Sequence, residues 1–378
     1  MRENNFSDLK IIVLGMLVIS LFGDAVLHAQ TAQISDKQNK QLDVMKSKAV
    51  AYLQNIGQGT DGSFSGEAGP GITSIVTVSL LRNGVAVADP AIAKALNYLS
   101  GFRRSDGGIY QEGSLYRNYE TCLAILCFVE ANNNGKYDEV INQANAFVRK
   151  IQVGGDGSVA RNQAEFGGSG YGKHKRPDLS NTTFLIEALR AAGASTDDEA
   201  IQRALVFVSR SQNLESEHNS TKFAPKINDG GFYYTPAAGG TSQAGETANG
   251  GLRSYASMTY AGLKSMIYAG VDRDDQRVKA ALSWIRKNYD VSENPGMGAS
   301  GHYYYLHTFA KTLRALEVDE VQSADGQRHN WRGDLISELS RRQKRNGSWF
   351  NTRNTRWLEG DENLVTGYAL LALSYCRD

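Results

Sequence analysis

Residues 339–349 read LSRRQKRNGSW, a stretch of the form L-x3-Q-x3-G-x-W. The Gln ends a charged, amphipathic run, where the last carbonyls of a helix lack partners and an amide can donate to them. Its amide can also lie flat on an aromatic ring. The Gly follows an Asn and permits the left-handed backbone of a sharp turn. The Trp two residues later brings a large ring to seal the turn against a neighbour. The stretch therefore reads as a seam between packed elements.

The seam recurs. TDGSF at 60–64, SDGGIY at 105–110, GDGSV at 155–159 and NDGGFYY at 228–234 share its turn with NGSW at 346–349, and NPGMG at 294–298 is a degenerate sixth copy. Gln58-x3-Gly62-x-Phe64 repeats the full form, and Gln152 with Gly157 does so with one extra residue. A repeat at this spacing marks one structural unit per copy.

Two kinds of helix flank each turn. Those before it, at 41–55, 91–102, 138–152, 197–212, 275–289 and 333–343, place apolar residues at three- and four-residue steps with charges between them. Each has one wet face. Those after it, at 72–84, 119–131, 180–193, 255–270, 304–316 and 364–376, are apolar almost all round. Such helices are buried on both sides. Six inner helices cannot bury every face in a flat stack, whereas a ring buries them all. The sequence thus predicts an all-α protein, an (α/α)6 toroid of six inner and six outer helices, as one domain over residues 30–378.

Composition narrows the function. The chain has 378 residues, 41% of them hydrophobic, with 41 basic against 40 acidic side chains. That balance gives no reason to expect a nucleic-acid partner. Residues 1–29 are expected to be a signal peptide. An apolar run from Ile11 to Phe22 is too short to span a bilayer comfortably, and cleavage after Ala25 or Ala29 would follow. The mature protein is then exported, periplasmic or extracellular, with no transmembrane segment. Export permits disulfides. Cys122 and Cys127, however, would point about 140° apart around a helix, and all three cysteines, Cys376 included, read as small buried hydrophobes. No cofactor or metal is expected.

The spacing at 339–349 and 58–64 resembles the QW motif of the squalene–hopene and oxidosqualene cyclases, whose helical toroid is shared by the β-subunits of protein prenyltransferases. The resemblance implies the toroid and an isoprenoid-type ligand. It implies chemistry only where the motif residues match. The cyclases protonate their substrate from a D-x-D-D-T-A segment at the start of an inner helix. Here the corresponding segment is PDLSNTT, 177–183, in which Asp178 matches the first Asp and Thr182 the Thr. The proton donor's place is taken by Ser180, which is not a strong acid. Asp178 is the one catalytic candidate left, and its other reading is a helix N-cap. The prenyltransferases hold zinc through Asp, Cys and His. His307 resembles that His, but 252–260 (LRSYASMTY) supplies neither other ligand.

If the inner helices are parallel, their N-termini converge on one mouth. The six junctions carry Arg117, Arg176, Arg253, His302 and Arg356, together with Tyr116, Tyr171, Tyr255, Tyr303, Tyr304 and Trp357. With His307, these are the expected ligand-binding residues. Lys173, Lys175, Tyr119 and Tyr305 stand beside them in the sequence. The set suits an amphipathic ligand with a polar or anionic head at a basic rim. Two other readings stay open. One is a carbohydrate-active hydrolase or lyase using a carboxylate pair drawn from Glu120, Glu165, Asp178, Glu246, Asp361 and Glu362. The other is an interaction scaffold with a filled centre.

Overall fold

The computed structural model describes residues 34–172 and 176–377. The expected signal peptide lies outside the described residues, as do Lys173 and Lys175. Helices run in the order α1 (Asp36–Tyr52), α2 (Pro70–Arg82), α3 (Pro90–Ser100), α4 (Arg117–Glu130), α5 (Asp138–Ile151), α6 (Leu179–Ala191), α7 (Glu199–Arg210), the short α8 (Ala224–Ile227), α9 (Ala256–Tyr268), α10 (Gln276–Lys287), α11 (His302–Ala315), α12 (Trp331–Arg342) and α13 (Glu362–Ser374). One hairpin, Glu320–Gln322 paired with Arg328–Asn330, precedes α12. Local chemistry sets the helix starts. Ser35 and Gln38 form a capping box, and Asp89, Asp198, Asp275 and Asn330 cap four more outer helices.

The inner helices close a ring. Contacts run α2 to α4 to α6 to α9 to α11 to α13 and back to α2, while α1 packs on α12 and α13. The outer helices surround this ring, as the alternation of wet and apolar helices requires. The fold is the (α/α)6 toroid that the sequence predicts.

The turns build the seams in the same way several times. The turn's Asp or Asn folds back on the backbone two residues later: Asp61 accepts from Ser63 N, Asp106 from Gly108 N, Asp229 from Gly231 N and Asn346 from Ser348 N. The next backbone N–H donates to a threonine of the following inner helix. Phe64 pairs so with Thr73 (2.9 Å), Ile109 with Thr121 (3.0 Å), Phe232 with Thr259 (3.0 Å) and Trp349 with Thr366 (3.1 Å). The helix-end Gln then reaches forward. Gln343 Nε2 donates to Gly347 O (2.9 Å) and to Met45 O of α1 (3.0 Å), joining the last unit to the first. Gln58, Gln152 and Gln212 make the same bridge to Ala91, Ala200 and Arg277 of the next outer helix. The amide thus ties two units together, and it is Trp349 Nε1 that satisfies a carbonyl of its own outer helix, Leu339 O, at 2.8 Å. Gln343→Ala leaves Gly347 O without its side-chain donor and removes the tie to Met45 O, which keeps its own helical partner, and a cost of about 1 kcal/mol is expected in urea denaturation.

One assignment moves. A Cβ at Gly157 would meet nothing within 4 Å, whereas Gly167 lies against Arg203 O and accepts the Gln152 amide. The third seam therefore uses Gly167, ten residues on from the sequence-matched glycine. The inserted segment carries the exposed DGS turn out of the seam.

Candidate functional site

The first turns of all six inner helices open into one cavity of about 820 Å³. Its lower wall is apolar and aromatic: Ile72, Tyr119, Phe184, Met258, Tyr304, Leu364 and Tyr368. Nearer the mouth stand Tyr116, Tyr171, Tyr234, Gln243, Tyr255 and Trp357. Rings meet edge-on here, Tyr116 with Tyr171 at 5.0 Å and Tyr119 with Phe184 at 5.2 Å between centroids. Ser180 lines the cavity where the cyclase motif would place its acid, and its hydroxyl lies 3.2 Å from the Tyr304 hydroxyl.

Of the residues expected to bind a ligand, Tyr116, Tyr171, Tyr255, Tyr304 and Trp357 line the cavity. The others do not. Arg356 lies over the Trp357 ring at 4.3 Å, Arg176 over Tyr234 at 6.0 Å and Arg117 over Tyr110 at 5.0 Å, while Arg253 donates to Glu246 O. Tyr303 is buried in the wall. His302 is buried beside Val291 O, and burial pulls it down to about 4. His307 is buried lower in the ring, stacked on Tyr368, and burial holds it well below its usual value. Among the described residues no group of three or more His, Cys, Asp or Glu side chains is placed to hold a metal. Cys122, Cys127 and Cys376 are buried and unpaired.

The charged groups lining the cavity are acidic, and those at the helix starts already have partners. Glu359 accepts from Tyr303 N (2.8 Å) and Tyr304 N (2.9 Å) at the start of α11, and from Asn351 Nδ2. Burial raises it to about 7. Glu120 accepts from Gln111 N and the Ser114 hydroxyl, and burial raises it too. Asp361 caps α13 through Leu364 N. Asp178, just behind the lining, caps α6 through Asn181 N (2.9 Å), and burial raises it to about 6. The protein itself thus supplies anions to several of its converging helix dipoles. Sequence reasoning missed Phe184, Tyr234, Tyr368 and Glu359. The FYY run at 232–234 and the acid after RWL at 356–358 were the signals available.

The ring's other end is closed by charge. Glu187 of α6 pairs with both Lys264 of α9 and Lys311 of α11, all three buried. Arg82 pairs with Glu130 (2.9 Å) and the Tyr375 hydroxyl (2.6 Å) nearby. The cations sit toward the C-terminal ends of their helices, where the dipole favours them.

No family model matches the chain, and no curated protein matches it. Solved structures do. A variant of the type II terpene cyclase MstE from Scytonema, bound to its substrate geranylgeranyl dihydroxybenzoate, aligns with TM-score 0.56 at 13% identity, over 90% of this chain and 98% of the other. A glycosidase variant bound to glucose aligns with TM-score 0.53 at 11% identity, over 91% of this chain and 99% of the other. A possible GH105-family member from Salmonella enterica aligns with TM-score 0.51 at 12% identity, over 90% and 94%. The chain has the α/α toroid fold of these structures.

Proposed function

We propose that this chain, exported behind its N-terminal segment, binds an amphipathic isoprenoid-like ligand within the toroid formed by residues 30–378. The observation that carries this is the cavity's lining. Its depth is apolar and aromatic, and its mouth offers phenols and an amide. A prenyl chain would lie among Ile72, Phe184, Met258, Tyr304, Leu364 and Tyr368. A hydroxyl or other uncharged polar head would meet Tyr171, Tyr234 and Gln243. An anionic head fits less well than the sequence suggests, because the lining charges are carboxylates and the arginines stand outside it. With Ser180 in the acid's place, the proposal is binding, without the cyclases' proton transfer.

The sugar-enzyme reading has one observation in its favour: Glu120 and Glu359, both raised by burial, line the same cavity. Their oxygens are held by backbone amides or neighbouring side chains, which suits anchoring. A melting panel separates the two. Farnesol or geranylgeraniol at about 100 times Kd should add about 2.7 kcal/mol of stability, with oligosaccharides inert. A shift with oligosaccharides alone would transfer the site to the sugar reading.

A further inference from the structure

Beneath the cavity lies a second, smaller chamber. Its volume is about 20 Å³, space for one water-sized species. Phe184 and Tyr368 line both spaces, so the two meet across these rings. Ile75, Val78, Leu123 and Leu371 give the chamber apolar walls, and one side of it is charged.

That side holds His307, Lys311, Glu187 and Arg82. His307 is 5% exposed. Neither of its ring nitrogens has a hydrogen-bond partner among the described residues. Stacking on Tyr368 and Tyr375 occupies the faces of the imidazole and leaves its polar edge unanswered. A buried polar group without a partner is costly, and native folds rarely keep one without a reason.

The charge around the chamber does not balance. Glu187 is shared by Lys264 and Lys311, and Arg82 is paired with Glu130. Three cations thus meet two carboxylates. Burial, and then the positive charge of Lys311 and Lys264, keeps His307 neutral against the pull of Glu187. The helix dipole effect falls off within the last turn. Glu187, Lys264 and Lys311 all precede the last turn of their helices, so the dipoles offset only part of the excess. A buried cation without its full complement of negative charge calls for a partner. Lys311 gives one of its three N–H groups to Glu187, and a neutral imidazole has one N–H to give.

We propose that the chamber is a halide site, in which one chloride-sized anion sits beside Lys311 and His307, with Arg82 on the same wall, as the second counter-ion of the two buried lysines. A water would fill the space without answering the charge. The site does not depend on what the cavity above it binds.

Bromide replaces chloride and scatters anomalously, so crystals of the purified protein in sodium bromide should show an anomalous peak in the chamber, next to Lys311 Nζ. In solution, the melting temperature should rise saturably in sodium chloride over sodium gluconate at equal ionic strength, because an anion held by the folded state alone stabilises it. Lys311→Met leaves Glu187 and Lys264 as a neutral pair, so this variant should fold and melt equally in the two salts. His307→Phe keeps a ring for stacking and removes the N–H. The chloride concentration that gives half the shift should then rise about tenfold. A chamber that holds a water and no bromide, equal melting of the wild type in the two salts, or a chloride response that either variant leaves unchanged overturns the proposal.

Discussion

Glu187→Gln is expected to destabilise the protein by about 3–5 kcal/mol, because it leaves two buried ammonium groups without their shared counter-ion. Glu187, Lys264 and Lys311 are each at most 8% exposed, and one carboxylate serves both lysines. Burial alone would raise the Glu187 carboxyl, but the two ammonium groups overcome it and hold it well below the usual range. The sign of the pH dependence follows. A depressed acid stabilises the fold above its unfolded value, near 4.3, and loses that contribution as pH falls below it. Urea midpoints of wild type and Glu187→Gln should therefore differ most at neutral pH and converge in acid. Replacing all three residues by Leu and Met should cost far less than Glu187→Gln, since no charge is left stranded.

Gly347→Ala is expected to cost about 3 kcal/mol, combining left-handed strain with backbone overpacking. Gly347 sits at φ +93°, and a Cβ there would fall 2.3 Å from Lys48 O of α1, on the seam joining the last unit to the first. Gly157 is the control. At φ +77° with open space around it, Gly157→Ala should show the strain alone, about 1 kcal/mol. Equal losses in the two variants, measured by thermal melts, would mean that the seam does not hold the ring closed.

These two glycines also show where sequence reading stops. The six-unit ring is legible because helix period, wet against apolar faces and the D/N-G turn are local signals. Gly157 looks right locally, since Asp156 makes the same turn with Ser158, but contact with α7 decides the seam and selects Gly167. The site divides in the same way. Tyr116, Tyr171, Tyr255, Tyr304 and Trp357 are legible because they stand at or beside the junctions where helices enter the ring. Phe184 and Tyr368 lie a turn deeper, and only ring closure fixes which way they face. The arginines show the converse. Their position at the mouth is readable, but which way they face is fixed by partners met only in the folded ring, such as Tyr234 for Arg176 and Tyr110 for Arg117.

The most direct test is calorimetric titration of the purified protein with geranylgeraniol at several temperatures. Isoprenoid binding in the cavity predicts saturation at one ligand per chain and a negative heat-capacity change, the mark of buried apolar surface. Phe184→Asp, which places a charge in the apolar depth, should abolish that binding while the variant still melts cooperatively. Absence of saturable binding up to the ligand's solubility limit, or equal binding by wild type and Phe184→Asp, would contradict it.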